Sequence, residues 1–114
     1  ITAMGEAFAR VRKYGVESKV LYDVMTEGLF AGAPAYVGYG KTMVDGTYDK
    51  VGSPIWIGMK DSTLIAAAAN IARVPMPSHD VYIGRLLGAI AHGDGDMDQA
   101  VLAREAARAS GLEK

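Results

Sequence analysis

Apolar residues recur at Ile1, Met4, Phe8 and Val11, with Ala7 and Tyr14 widening the same stripe, a spacing that predicts an opening helix. Gly15 ends it as C-terminal glycines do, and Glu6 stands where it can pair with Arg10 one turn on. A second helix is predicted over Ser18–Glu27, with Val20, Leu21, Val24 and Met25 turned inward and Gly28 closing it. The rhythm returns at residues 61–72, where Leu64, Ile65, Ala68 and Ile71 are expected to be buried. Val74-Pro75-Met76-Pro77 terminates this third helix, because proline cannot continue it and constrains the residue before it. Ser78 caps a fourth, with Ile83, Leu86, Leu87 and Ile90 inward and Gly84 and Gly88 on one side, where a second helix can approach closely. A break at residues 93–95 precedes a last helix over residues 98–110.

Residues 28–58 follow neither period. Glycines recur from Gly28 to Gly58, Pro34 and Pro54 interrupt, and no alternation lasts long enough to predict a strand. Tyr36, Tyr39, Tyr48 and Trp56 are interleaved with the glycines, so the stretch reads as irregular or short-helical and packed by its aromatics. The expectation is an all-α chain of about five helices, a single domain over residues 1–114.

Composition narrows the function classes. Half of the residues are hydrophobic and 22% are charged, the signature of a folded rather than a disordered chain. The net charge is −1 with both signs mixed, so no basic face recommends nucleic acid as a partner. Without cysteine there is no disulfide, thiolate metal site or thiol nucleophile, which agrees with a cytoplasmic setting. The longest apolar run, residues 64–69, is far too short to span a bilayer. The chain opens at Ile1 already in helical rhythm, which points to a fragment whose first helix continues upstream.

Three tempting motifs fail. Gly40-Lys41-Thr42 resembles the end of a phosphate-binding loop, but Ala35 stands where that loop needs glycine. Asp94, Asp96, Asp98 and Glu105 have the rough spacing of a calcium loop, yet Gln99 occupies the position of its obligatory glycine. Asp96 or Asp98 is better read as an N-cap. His79 and His92 lie about 20 Å apart along one helix, too far to share a metal, and His92 suits the helix C-terminus. No metal site is predicted.

One pair stands out. Lys60 and Asp61 fall where the glycine-rich segment meets the third helix, so Asp61 is expected at the helix N-terminus, accepting from its free N–H groups. Lys60 then projects from the loop side toward an anionic ligand. As bare residues, the two also fit a plain cap beside a solvated lysine.

The segments Ala3-Met4-Gly5-Glu6-Ala7, Tyr14-Gly15-Val16, Lys60-Asp61, Val74-Pro75-Met76-Pro77 and Gly95-Asp96-Met97-Asp98 occur in the order and spacing of a known domain. With them the chain resembles the C-terminal helical domain of the β-hydroxyacid dehydrogenases, such as 3-hydroxyisobutyrate dehydrogenase and, more distantly, 6-phosphogluconate dehydrogenase. The resemblance implies an N-terminal Rossmann domain, absent here, that binds most of the NAD or NADP. It implies a catalytic lysine roughly ten residues upstream of Ile1, so no catalytic residue is expected in this chain. Lys60 would reach the cofactor and Asp61 would border the pocket for a short hydroxy acid or its semialdehyde. Where many members carry a pocket-facing phenylalanine, this chain has Ser53. The resemblance further implies a homo-oligomer. Gly84, Gly88 and the apolar face of the first helix are its candidate surface, and the alternative function is a non-catalytic oligomerisation or interaction module.

Overall fold

The computed structural model describes residues 1–28 and 30–113. Six α-helices and one 3₁₀ turn account for the regular structure among them, and they form no strand, only a lone bridge between Pro54 and Asp98. The helices are α1 (Thr2–Lys13), α2 (Ser18–Glu27), α3 (Pro34–Asp45), α4 (Ile55–Ala72), α5 (Pro77–Ala91) and α6 (Leu102–Ala109), the last preceded by a 3₁₀ turn at Gln99–Val101. The all-α expectation holds, with one helix more than the pattern predicted.

The core forms where α1 lies against α6. Met4 and Phe8 of α1 meet Val101, Leu102 and Ala103, joined by Ile55, Leu86 and Met43 from the other elements. Gly5 is what lets the two helices touch, since a Cβ there would sit 2.8 Å from the Ala103 Cα. Alanines at 103, 106 and 107 line the inner face of α6, while Arg104 and Arg108 stand on its flank. α2 buries no residue completely; it holds its place through Tyr22, whose ring covers Gly40 and whose hydroxyl donates to the Val37 carbonyl at 3.1 Å.

Several departures from the pattern have identifiable causes. The glycine-rich stretch contains a full helix, α3, opened by Pro34 at its first position and closed by Gly46 at a φ of +66°. Gly38 and Gly40 weaken that helix intrinsically, but Gly40 is required because any Cβ would strike the Tyr22 ring at 2.9 Å. Second, α4 starts six residues before position 61, so Asp61 lies inside the helix and does not cap it. Third, Leu64, Ile65, Ala68 and Ile71 are exposed, because α4 turns Ile55, Gly58 and Ser62 inward instead. The stripe rule finds a helix's apolar face but cannot say whether the fold supplies a partner for it. Tyr14, Val20, Val24 and Leu87 are likewise exposed.

Fourth, Glu6 pairs with Arg85 of α5 at 2.8 Å rather than with Arg10, a contact no local rule reveals. α5, the fourth of the predicted helices, begins at Pro77 after Met76, not at a Ser78 cap. Gly88 does serve close packing, but within the chain: a Cβ there would meet the Glu105 carboxylate at 2.7 Å, whereas Gly84 faces open space. The apolar residues Met4 and Phe8 of α1 are covered within the chain as well. Tyr14, at the end of the same stripe, is exposed.

These contrasts set a stability test. Gly5→Ala should cost about 1–3 kcal/mol by forcing α1 off α6, while Gly84→Ala should gain about 0.5–1 kcal/mol from helix propensity alone. Urea unfolding of the two variants distinguishes them by sign.

Candidate functional site

The start of α4 is built by residues far away in sequence. Its first two amides, Ile55 and Trp56, would lack partners in an isolated helix; here they donate to the carbonyls of Met97 and Gly95 at 3.0 and 3.2 Å. Gly95 is needed for this approach, because a Cβ would lie 2.6 Å from the Trp56 indole nitrogen. The Gly95–Asp98 motif thus closes the helix N-terminus with main chain and leaves no anion site there.

Asp98 ties down the segment leading into α4. One carboxylate oxygen accepts from the amides of Gly52 and Ser53 at 2.9 and 3.1 Å, and the other accepts from Ala100 at 2.9 Å. Its own amide donates to the Tyr48 carbonyl at 2.9 Å. Asp98 is the N-cap of the 3₁₀ turn, as one reading of the acidic run expected. Gln99 adds a second tether. Its amide donates to the Ser53 carbonyl, its side-chain nitrogen donates to the Ser53 hydroxyl at 2.7 Å, and its side-chain oxygen accepts from the Tyr82 hydroxyl at 2.6 Å. Burial pushes the Tyr82 phenol above its ordinary value of 10.0, which keeps it a donor. Ser53 lines an open cleft of about 520 Å³ with Lys50 of the same loop and Pro34, Gly38, Tyr39 and Thr42 of α3.

On this anchored helix stand the two residues singled out from sequence. Lys60 and Asp61 lie side by side, Nζ 3.0 Å from Oδ1, with 62% and 56% of their side chains exposed. They sit in the second turn of α4, beyond the reach of its terminal dipole, and outside the Ser53 cleft. An ion pair this exposed contributes little to folding. It leaves an ammonium and a carboxylate available to a ligand.

Two further buried acids are structural. Asp94, 5% exposed, accepts from Arg104 at 2.8 Å and from Arg108 at 2.7 Å. Glu105, 7% exposed, also meets Arg108 and lies 2.9 Å from Nδ1 of His92. These carboxylates, given the spacing of calcium ligands by the sequence, are spent on guanidinium and imidazole groups. Among the described residues no group of His, Cys, Asp and Glu is arranged to hold a metal ion. Nor is any helix among them long and apolar enough to cross a membrane. Sequence reasoning missed the roles of Gln99 and Tyr82, which carry no local signal, and found Asp98 only as a cap.

This all-α body, with the start of α4 closed by the Gly95–Asp98 loop, has known counterparts. Residues 1–106 match the family model for the NAD-binding region of NADP-dependent 3-hydroxyisobutyrate dehydrogenase, and the chain belongs to that family. It is 31% identical over 102 residues to YfjR of Bacillus subtilis, a protein described only as an uncharacterized oxidoreductase. Its fold is similar to that of 3-hydroxyisobutyrate dehydrogenase from Salmonella typhimurium, with a TM-score of 0.81 and 27% identity. In both comparisons 90% of this chain is covered but only 35% of the relative, so the chain spans about a third of the length of the proteins it matches.

Removing the Asp98 carboxylate leaves three amides without an acceptor, so Asp98→Ala should cost about 2–4 kcal/mol. Faster hydrogen exchange at Gly52 and Ser53 than at the amides of α6 would locate the damage. The raised Tyr82 value also fixes a sign. A phenol protonated longer when folded stabilises fully below its ordinary value, and that contribution is lost as pH rises through the folded value. Tyr82→Phe should therefore remove a late-titrating phenol from an ultraviolet titration and flatten the alkaline fall in stability.

Proposed function

We propose that this chain is the cofactor-facing helical portion of an NAD(P)-dependent dehydrogenase acting on a short hydroxy acid or its semialdehyde. The observation that carries this reading is the exposed Lys60–Asp61 pair on a helix with an immobilised start, in a member of this family. Lys60 reaches the cofactor, where a compact ammonium suits a phosphate or ribose oxygen. Asp61 borders the substrate pocket, with Ser53 nearby in sequence in place of a bulky aromatic.

The residues present fit part of such a cofactor. An exposed lysine can meet its anionic portion, but the described residues form no strand and so no strand–glycine-turn–helix cradle for the dinucleotide. The proposal assigns most of the cofactor's binding to a segment outside these residues. A bound nicotinamide would supply the hydride acceptor, with Lys60 at the cofactor's anionic portion, and the substrate's hydroxyl proton would pass to a base. That base is the lysine expected upstream of Ile1, so the 114 residues alone are not expected to turn over substrate.

The second reading, a non-catalytic oligomerisation module, draws on one observation: the apolar side chains left exposed along α4. Nicotinamide absorbance in the longer protein, across short 2- and 3-hydroxy acids and semialdehydes, separates the two. Turnover supports the dehydrogenase; silence with no cofactor binding supports the module. In the active protein, Lys60→Ala should raise the KM for cofactor about tenfold, the worth of one charge-assisted contact, with thermal stability unchanged. Asp61→Asn should instead raise the KM for substrate. An unaltered cofactor KM in Lys60→Ala would falsify the role given to that residue.

A further inference from the structure

Two guanidinium groups face one carboxylate in a cleft that the candidate site does not use. Arg12, in the last turn of α1, and Arg104, on α6, line a cleft of about 360 Å³ together with Ser18, Asp45, Tyr48 and Glu113. Neither Lys60 nor Asp61 lines it, and it shares no residue with the Ser53 cleft. Gly111, at a φ of +65°, turns the chain after α6, and the Leu112 amide closes that turn on the Ala107 carbonyl at 2.9 Å. Glu113 follows and enters the cleft.

Its carboxylate fits there poorly. One oxygen lies 3.0 Å from Arg12, but the other stands 3.8 Å from Nε of Arg104, beyond hydrogen-bond distance. Arg104 is nevertheless held ready. Its Nη1 donates to the buried Asp94 at 2.8 Å, and its guanidinium carbon lies 5.0 Å from the centre of the Tyr48 ring. Asp94 is shared with Arg108, and Asp45 is engaged by Lys41 at 2.7 Å. Among the described residues Arg12 pairs with no carboxylate other than Glu113. The cleft thus holds more positive charge and more N–H donors than one glutamate can satisfy.

We propose that this cleft is a phosphate site, and that Glu113 is the internal anion a phosphate-bearing ligand displaces. A phosphate monoester presents three acceptor oxygens and a charge of up to about −2, where Glu113 offers two oxygens and a single charge. Guanidinium forks match that arrangement, and two of them converge from separate helices. Ser18, whose hydroxyl has no protein partner among the described residues, adds a donor at the wall. Displacement is cheap, because an ion pair as exposed as Arg12–Glu113, with 37% and 35% of the side chains accessible, contributes little to folding.

Tyr48 supplies a local reporter. Burial, and after it the charge of Glu113, pushes its phenol above the ordinary value of 10.0, while Arg104 and Arg12 act the other way. The ring therefore senses all three groups of the site.

The test is a titration of the longer protein, free of cofactor and substrate and at low salt, followed by the ring resonances of Tyr48 in nuclear magnetic resonance. Tyr48→Phe assigns those resonances, and inorganic phosphate and glycerol phosphate are the probes. Both should shift the ring saturably; tighter binding of the ester identifies a phosphorylated metabolite as the ligand, and equal affinity identifies free phosphate. Arg12→Gln should weaken the binding about tenfold, and Glu113→Gln should tighten it about tenfold. Circular dichroism should show both variants folded, since both side chains are partly exposed. An unmoved Tyr48 ring, an affinity indifferent to Arg12→Gln, or a Glu113→Gln protein that binds no more tightly overturns the proposal. The last result would mark Glu113 as a structural ion-pair partner and nothing more. None of these readings involves Lys60, so their failure leaves the dehydrogenase reading intact, and silence in the turnover assay leaves the phosphate site intact.

Discussion

The carboxylate of Asp98 is the constraint on which the rest of the candidate site depends. It gathers amides from Gly52, Ser53 and Ala100, residues that approach only when the chain is folded. A buried carboxylate is stable only when its lone pairs are taken by donors, and here each oxygen has at least one. Because Asp98 also binds Tyr48 through its own amide, the loop ahead of α4, the 3₁₀ turn and the end of the glycine-rich segment are held at one point.

From that point α4 acquires its direction. The carbonyls of Gly95 and Met97 satisfy its first amides, and Gln99, braced by Tyr82, holds Ser53 at its threshold. Lys60 and Asp61 are fixed by none of these contacts directly; they inherit their position from the helix that carries them. The helix thus presents two exposed side chains that pair with each other at 3.0 Å. The far half of the helix is different. It carries an apolar face that the described residues leave exposed.

A second group of charges supports the other side of the molecule. Asp94 and Glu105 are buried, yet both face Arg108, with Arg104 and His92 completing the set. Removing one member of such a cluster leaves an uncompensated buried charge, so these residues act together to keep α6 and the loop ahead of it in register. Of the acids that suggested a cation site in the sequence, Asp94 and Glu105 are committed to the protein's own basic groups and Asp98 to backbone amides.

Much of the fold was legible from the chain. The three-and-four spacing located α1, α2 and α5 closely, and the glycine and proline signals located their ends, because those signals act over one turn of backbone. The glycine-rich segment hid α3, since Gly38 and Gly40 speak against a helix until the Tyr22 ring is seen to require Gly40. The family resemblance and the choice of Lys60 and Asp61 came from sequence as well, through motifs whose order survives. What only the tertiary structure decided were the start of α4, the exposure of Leu64 and Ile71, and the tethering of Ser53 by Gln99. Each depends on groups brought together from distant parts of the chain, and periodicity reports only that a helix has an apolar face, not what the fold sets against it.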